Sequence, residues 1–205
     1  MHETHAPVVG YTIRNQRYIN VTNRCTLRCA FCPKFNKVWD VKGHGLRIRD
    51  EPDVGEMIAA AGQDPGTWDE VVFCGLGEPT LRLDEVLRVA AAVRAAGARR
   101  VRINTDGLAN LVHGEDVTPR LAGLVDALSV SLNGQNAAVY DRHCRPLHAG
   151  AWTAVQDFVL RAQRHVPEVT LTAIDGLPGL DIAACEAIAR TLGVHFRRRV
   201  LDDVG

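Results

Sequence analysis

Residues 18–35 read YINVTNRCTLRCAFCPKF, and in this stretch a strand-like pattern runs straight into three closely spaced cysteines. Three residues separate Cys25 from Cys29, and two separate Cys29 from Cys32. Pro33 follows at once and disfavours continuation of regular structure. The three thiols are therefore expected together in a loop at the end of a strand, where functional side chains often collect.

Three thiols at one place indicate a metal centre, and their number limits its type. A structural zinc site usually takes four protein ligands, whereas an iron–sulfur cubane held by three thiolates leaves one iron open to another ligand. His44, in the segment KGHG, is a candidate fourth zinc ligand, although it has no recognisable ligand spacing. Chance clustering of core cysteines is the other alternative, and the polar neighbours disfavour it. We favour the iron–sulfur interpretation.

The composition indicates one globular domain without an overall electrostatic preference. The 205 residues are 46% apolar, which suffices for one hydrophobic core. Lys and Arg number 24, as do Asp and Glu, so net charge does not indicate nucleic acid or an anionic membrane as a partner. The sequence shows neither a signal-peptide pattern at its N-terminus nor an apolar run of ~18 residues, which predicts a cytoplasmic protein. In that reducing compartment cysteines are expected to bind metal or to be buried.

One alternation recurs along the chain: short β-branched runs are followed by segments with helical periodicity. The predicted strands are Arg17–Thr22, Glu70–Cys74, Val101–Thr105, Ala127–Leu132, Val169–Ile174 and Phe196–Leu201. The predicted helices are Pro52–Ala61, residues 83–97 with Asp84 as N-cap and Gly97 as C-terminal stop, Thr118–Val125, Trp152–His165 and Ile182–Leu192. Residues 11–19 are compatible with a short N-terminal hairpin.

Alternating strands and helices predict parallel strands joined by right-handed crossovers. Six such units can form an incomplete barrel or an open doubly wound sheet. In both arrangements the carboxyl ends of the strands meet at one rim. The segment CGLGEP follows the second strand, NTDG follows the third and SLNG follows the fourth. These segments are therefore expected to form one site with the cysteines.

The pattern Cys25, three residues, Cys29, one residue, Phe31 and Cys32 resembles the signature of the radical S-adenosylmethionine (SAM) superfamily. The resemblance implies an α/β fold, a partial parallel β/α barrel of about six βα units. It implies one 4Fe–4S cluster on the three cysteines, with SAM on the open iron. In this superfamily, an electron from a reductant such as flavodoxin or ferredoxin leads to cleavage of SAM. The resulting 5′-deoxyadenosyl radical abstracts hydrogen from a substrate, so the chain is expected to be an oxidoreductase.

The other rim segments resemble the same superfamily. CGLGEP is similar to its Gly-Gly-Glu-Pro motif, with Leu76 in place of the first glycine, and SVSLNG is similar to the segment that contacts the ribose of SAM. A glycine backbone and a carboxylate suit the methionyl ammonium. The resemblance implies as cofactor-binding residues Phe31, Gly77, Glu78 and Pro79, then Asn104 on the SAM side, and Ser131 and Asn133 at the ribose. Arg145 at the ribose and Ile174 at the adenine are additional candidates.

Within the superfamily the chain most resembles a small group of stand-alone proteins associated with TatD-type nucleases, and this resemblance does not identify the substrate. An activator of a glycyl-radical enzyme is an alternative, as is a non-catalytic zinc or iron–sulfur module that binds a partner. Residues 1–205 are expected to form a single core domain. No auxiliary-cluster domain is expected, because the other cysteines lie far apart in sequence.

The sequence also predicts the surroundings of the other cysteines and of the loop after the cluster motif. Cys74 and Cys185 are predicted to be buried, whereas Cys144 is either buried or a thiol on the substrate side. The segment 34–52, which contains Trp39, His44 and Arg47, is predicted either to form a lid over the substrate pocket or to pack against the fold.

Overall fold

The computed structural model describes residues 8–35 and 38–201, and its main feature is a seven-stranded sheet. The strands of this sheet are β1 (Gly10–Ile13), β2 (Gln16–Asn20), β5 (Glu70–Cys74), β6 (Val101–Thr105), β7 (Ala127–Ser131), β8 (Glu168–Asp175) and β9 (His195–Val200). A separate small hairpin consists of β3 (Asp40–Val41) and β4 (His44–Gly45). β1 is antiparallel to β2, and the remaining pairs of neighbours in the large sheet are parallel.

The helices are α1 (Val54–Ala61), α2 (Leu83–Ala95), α3 (Ala109–His113), α4 (Ala137–Cys144), α5 (Ala151–Ala162) and α6 (Ile182–Leu192). A capping box begins α1: Asp53 accepts from the Glu56 N–H at 2.8 Å, and Glu56 accepts from the Asp53 N–H at 2.7 Å. Asp181 likewise accepts from the Ala184 N–H and begins α6. None of the helices in the described part of the chain is long and apolar enough to span a bilayer.

The order of strands along the sheet is β1-β2-β5-β6-β7-β8-β9, so the six parallel strands follow chain order without reversal. A doubly wound sheet reverses its order at a switch point, whereas a barrel is wound in one direction. In the described residues β1 and β9 lie at opposite edges and do not pair. The predicted α/β fold, a partial parallel barrel, is confirmed.

Alternate residues of each strand face either the helices or the interior of the partial barrel. In β5, Val71 and Phe73 belong to the large core under the helices, whereas Val72 and Cys74 belong to a smaller interior cluster. The other buried members of the interior cluster are Tyr11, Tyr18, Val41 and Leu46. The β3–β4 hairpin therefore packs on the interior face of the sheet, beside the carboxyl ends of the first strands.

Two details of the predicted helices are wrong. Thr118–Val125 forms only a 3₁₀ turn, over Thr118–Leu121. Gly123, with φ +73°, adopts a left-handed conformation that does not continue a helix. Asp84 is not the N-cap of α2, because the helix begins at Leu83 and Asp84 lies in its first turn.

Helices α3 and α4 are additional to the predicted elements. The side chain of Asn136 accepts a hydrogen bond from the Val139 N–H at 3.0 Å and begins α4. Both helices are short, at 5 and 8 residues, so they give little periodic signal in the sequence. The other predicted elements are present, with ends that differ by about three residues or fewer.

Candidate active site

A cavity of about 190 Å³ lies at the carboxyl ends of the first parallel strands and is lined by all three cysteines of the β2–β3 loop. The other predicted site residues that line it are Phe31, Gly77, Glu78, Asn104, Ser131 and Asn133. These residues come from the loops after β2, β5 and β7 and from the ends of β6 and β7. The rim that the sequence predicts is therefore formed.

Three of the candidates do not line this cavity. Pro79 is buried and begins a 3₁₀ turn over Pro79–Arg82. Arg145, with φ +48°, is the exposed C-cap of α4. Ile174 is buried in β8, where its N–H donates to the side chain of Asn133 at 3.2 Å.

The cysteine loop is held by backbone hydrogen bonds within the loop and to α4. The Cys32 N–H donates to the Cys29 carbonyl at 3.1 Å and closes a turn between the two cysteines. The Ala30 N–H donates to the His143 carbonyl at 2.8 Å, in the last turn of α4. The last carbonyls of a helix have no partner inside the helix, so the loop supplies a donor that α4 needs. The short helix absent from the sequence prediction thus helps to position Cys29.

The three thiols are partly buried and hold their protons strongly in the metal-free chain. Burial raises the pKa of Cys25, and the nearby Asp106 raises it further. The pKa of Cys29 is raised by a hydrogen bond with Cys144 and then by burial. Burial also raises the pKa of Cys32. A metal that binds here must therefore displace the thiol protons.

The Glu78 carboxyl group is enclosed, with 4% of the residue exposed, and is held by several donors. Its Oε1 accepts from the Thr80 N–H at 3.0 Å, the Thr80 hydroxyl at 2.7 Å and the Thr105 hydroxyl at 2.8 Å. Its Oε2 accepts from the Asp106 N–H at 2.6 Å. Burial, followed by the effect of Asp106, raises the pKa of Glu78 to about 8. A bound cation at this edge of the cavity would offset that shift.

Gly77 is required by the close approach of two loops. A Cβ atom at Gly77 would overlap the carbonyl oxygens of Thr22 and Arg24. The Glu78 N–H donates to the Arg24 carbonyl at 2.7 Å, so the GLGEP segment lies against the residues that lead into Cys25. The sequence predicted a glycine near a ligand, and the structure adds this backbone contact as a reason for it.

The Gly77→Ala variant is expected to unfold more easily and to load less iron, because the added methyl group pushes the cysteine loop away. Overpacking of this kind costs about 1–3 kcal/mol, measurable by urea denaturation. Gly43→Ala is the matched control, since its Cβ meets nothing within 4 Å and only the left-handed backbone is strained. Equal iron contents in the two variants would contradict this account of Gly77.

The residues expected on the SAM side also have contacts within the protein. The Asn104 Oδ1 atom accepts from Arg102 at 2.9 Å. Asn133 is 2% exposed with φ +46°, and its Oδ1 atom ties the end of β7 to β8. Ser131 ends β7, and Phe31 packs half-buried against the large core beside the cysteines. The side chains of Asn104 and Asn133 are therefore held by contacts within the protein.

His44 packs on Tyr11, and Val41 and Leu46 of the same segment belong to the interior cluster. The His44 ring lies 5.0 Å from the Tyr11 ring, between centroids, and does not line the cysteine cavity. The Arg47 guanidinium stacks 5.4 Å from the Trp39 ring. In residues 8–35 and 38–201, no group of three His, Cys, Asp or Glu side chains could hold a single metal ion. A Cys₃His zinc site therefore has no support from the described residues.

The remaining cysteines are buried. Cys74 and Cys185 are buried as predicted, and the Cys74 Sγ lies 3.1 Å from the Tyr11 hydroxyl. Cys144 is 0% exposed in the large core and contacts Cys29. The alternative of a thiol on the substrate side is wrong for Cys144, because no substrate reaches it.

Sequence reasoning missed two residues behind the cysteines. Asp106, within NTDG, is 6% exposed and accepts from the Thr26 hydroxyl at 2.6 Å. Tyr140 is fully buried, and its hydroxyl has no hydrogen-bond partner in the described structure. Burial raises the pKa of the Tyr140 hydroxyl, and Cys144, Asp106, Cys29 and Cys25 raise it further. NTDG could have pointed to Asp106, whereas no local pattern marks Tyr140.

These observations fit a cluster with a small cationic ligand beside it. All three thiols line one cavity, and cysteine thiolates are the usual ligands of iron–sulfur clusters. Glu78 offers a buried carboxyl group at the same cavity.

The chain thus forms a partial parallel β/α barrel that carries three thiols at its carboxyl rim. The chain belongs to the radical SAM superfamily, whose family model matches residues 19–192. Members of this superfamily use a 4Fe–4S cluster and S-adenosylmethionine.

Its similarity to individual proteins is more distant. It is 28% identical to the GTP 3′,8-cyclase of Pelotomaculum thermopropionicum over 93% of this chain and 56% of that protein. It is 29% identical to the dual-specificity RNA methyltransferase RlmN of Alkalilimnicola ehrlichii over 57% of this chain and 32% of that protein. The solved structure of native anSMEcpe with bound AdoMet has a TM-score of 0.60 at 14% identity, over 90% of this chain and 50% of that one. The chain thus spans about half or less of each relative.

Proposed function

We propose that this enzyme uses Cys25, Cys29 and Cys32 to hold one 4Fe–4S cluster, and that SAM occupies the cavity they line. When bound, these cofactors supply a 5′-deoxyadenosyl radical that abstracts hydrogen from a substrate. The observation that carries the proposal is the convergence of the three thiols with Glu78 and Gly77 on one cavity. The three thiols come from a loop whose turn and whose bonds to α4 restrict their positions.

Glu78 is proposed to receive the ammonium group of SAM. Its pKa of about 8 shows a carboxyl group that is destabilised as an anion, chiefly by burial. An ammonium cation at the cavity would favour the ionised form and gain a charge-assisted hydrogen bond. The donors from Thr80, Thr105 and Asp106 hold the carboxyl group in place for this contact.

The polar residues at the ends of β6 and β7 are proposed to orient the rest of SAM. Asn104, Ser131 and Asn133 line the same cavity, and their amide and hydroxyl groups suit ribose hydroxyls. Phe31 lies between the second and third cysteines and is proposed to shield the cluster from water. Pro79 is proposed to act indirectly, by ending the glycine segment and starting the buried turn after Glu78.

A reductant is needed to supply the electron, and flavodoxin or ferredoxin is the proposed donor. The kinship with TatD-associated proteins remains a prediction, and the substrate is open at this stage. The relatives, a cyclase and an RNA methyltransferase, differ from each other in activity. A shared core therefore does not select one reaction for this chain.

The test is anaerobic reconstitution of the full chain with iron and sulfide, followed by addition of dithionite and SAM. The proposal predicts a broad absorbance near ~400 nm, typical of thiolate-bound iron–sulfur clusters, and release of 5′-deoxyadenosine. Omission of dithionite is the control and should prevent release of the nucleoside. Cluster colour without any 5′-deoxyadenosine in the complete mixture would overturn the proposal.

A further inference from the structure

A second cavity, of about 420 Å³, lies inside the partial barrel next to the cysteine cavity. The two cavities share Tyr18, Asn104, Ser131 and Arg199 as lining residues, so they are contiguous. A volume of this size falls in the usual range of small-molecule sites, about 300–1,000 Å³. A molecule bound in the second cavity would lie beside whatever occupies the first.

The second cavity is strongly cationic, although the whole chain is neutral. Its lining includes six basic side chains, Arg14, Lys42, Arg102, Arg197, Arg198 and Arg199. It includes only two carboxylates, Glu70 and Glu168. Arg102 lies on β6 and the three consecutive arginines lie on the edge strand β9, whereas Arg14 and Lys42 lie in turns.

Both carboxylates of the cavity are already engaged by arginine. The two oxygens of Glu70 accept from Arg100 and Arg102, each at 2.9 Å. Glu168 accepts from Arg100 at 2.6 Å. The pair of Arg102 and Glu70 is well buried, at 10% and 12% exposure of the two side chains. The negative charges of Glu70 and Glu168 are therefore balanced by ion pairs with Arg100 and Arg102.

Arg197, on the edge strand β9, remains without a carboxylate partner in the described part of the chain. One of its terminal nitrogens donates to the Ser129 hydroxyl at 3.0 Å. Arg197 is partly exposed on the edge strand; partial burial of its guanidinium lowers its pKa, and the charge of Arg102 lowers it further, with partial compensation from Tyr18, Glu70 and Glu168. Burial and the charge of Arg102 both disfavour the charged form of Arg197. An anion bound in the cavity would stabilise that charged form and offset both effects.

The groups around Arg197 match an oxyanion. A guanidinium presents several donors in a planar fork that fits phosphate or carboxylate oxygens. The Ser129 hydroxyl accepts from Arg197 and keeps its own hydrogen to donate. Ser131 and Thr170 add further hydroxyl groups to the same wall.

We infer that the substrate is a small molecule bearing a phosphate or carboxylate group, which binds in the interior cavity at Arg197 and Ser129. This inference rests on the proposed function, because it assigns the second cavity to the substrate of the radical reaction. The cavity volume lies in the range of small-molecule sites, which favours a small molecule over a polymer. The oxyanion would anchor one end of the substrate and leave the other end toward the cysteine cavity.

The test is calorimetric titration of the reconstituted enzyme, with SAM present, using inorganic pyrophosphate in one arm and citrate in another. Binding is expected in at least one arm, and that arm identifies the anion class. Arg197→Gln should weaken it roughly 10- to 100-fold, the effect of losing charge-assisted hydrogen bonds. Arg197→Lys retains the charge without the fork and is expected to weaken binding less. Thermal unfolding checks that each variant is folded.

Arg161→Gln is the matched control, because it removes one positive charge from the exposed surface of α5, where Arg161 pairs with Asp157 at 2.8 Å. The inference would be overturned if neither anion bound. It would also be overturned if Arg197→Gln bound the anion as tightly as the unaltered enzyme, or if Arg161→Gln weakened binding equally. A short single-stranded RNA that binds through Arg197 while neither small anion binds would also overturn it. Release of 5′-deoxyadenosine is measured on the same sample, so failure of the proposed function is detected separately from failure of anion binding.

Discussion

Replacement of Cys29 by alanine is expected to abolish both cluster loading and SAM cleavage. Cys29 is the middle thiol of the three, and two remaining thiolates cannot hold a cubane cluster firmly. Iron and sulfide analysis after anaerobic reconstitution should give contents near background. Release of 5′-deoxyadenosine should fall to the level of the mixture without dithionite.

The matched control is Cys185→Ala, which removes a buried thiol on α6 that does not line the cysteine cavity. It should retain the cluster and the nucleoside, with a modest loss of stability for a small buried truncation. Cys144→Ala is informative as well, because Cys144 contacts Cys29 without lining the cavity. Full iron loading in Cys29→Ala would contradict the assignment of this thiol as a ligand.

Glu78→Gln is expected to weaken SAM binding roughly 10- to 100-fold, the effect of losing a charge-assisted hydrogen bond worth about 1.5–3 kcal/mol. The variant should also lose stability, since a glutamine has only one acceptor oxygen. If that oxygen faces Thr80 and Thr105, the buried Asp106 N–H is left opposite an amide donor. Such an unpaired group costs about 1–3 kcal/mol. Equilibrium dialysis with labelled SAM and urea denaturation measure the two effects.

Glu115→Gln removes one negative charge from an exposed position after α3 and serves as the control. It should change neither SAM affinity nor stability by more than about 0.5 kcal/mol. If Glu78→Gln binds SAM as tightly as this control while its cluster is intact, Glu78 does not contact the ammonium group.

Much of the fold could be predicted from local patterns. Val71, Val72 and Phe73 form an apolar run because β5 is covered on both faces, and such a run followed by glycine marks a buried parallel strand. Because the carboxyl ends of parallel strands meet at one rim, Cys25 and Glu78 could be predicted to share a site, and both line the same cavity. Neither step required knowledge of which strands are neighbours.

The features that were missed depend on contacts between segments distant in sequence. Helix α4 gives little periodic signal in the sequence. Its role is to position the cysteine loop, because its last carbonyls accept hydrogen bonds from that loop. The charge of the interior cavity depends on register, since Glu70 and Arg102 meet only when β5 and β6 are aligned. Arg197 lies in a short polar edge strand, HFRRRV, whose facing residues the pattern alone does not reveal.

The central claim is that three protein thiolates leave one iron of the cluster available to SAM. Electron paramagnetic resonance of the dithionite-reduced enzyme, recorded with and without SAM, tests this most directly. The account predicts a 4Fe–4S signal from one cluster per chain whose shape changes on addition of SAM. A signal that SAM leaves unchanged, or a colourless protein that retains zinc in place of iron, would contradict it.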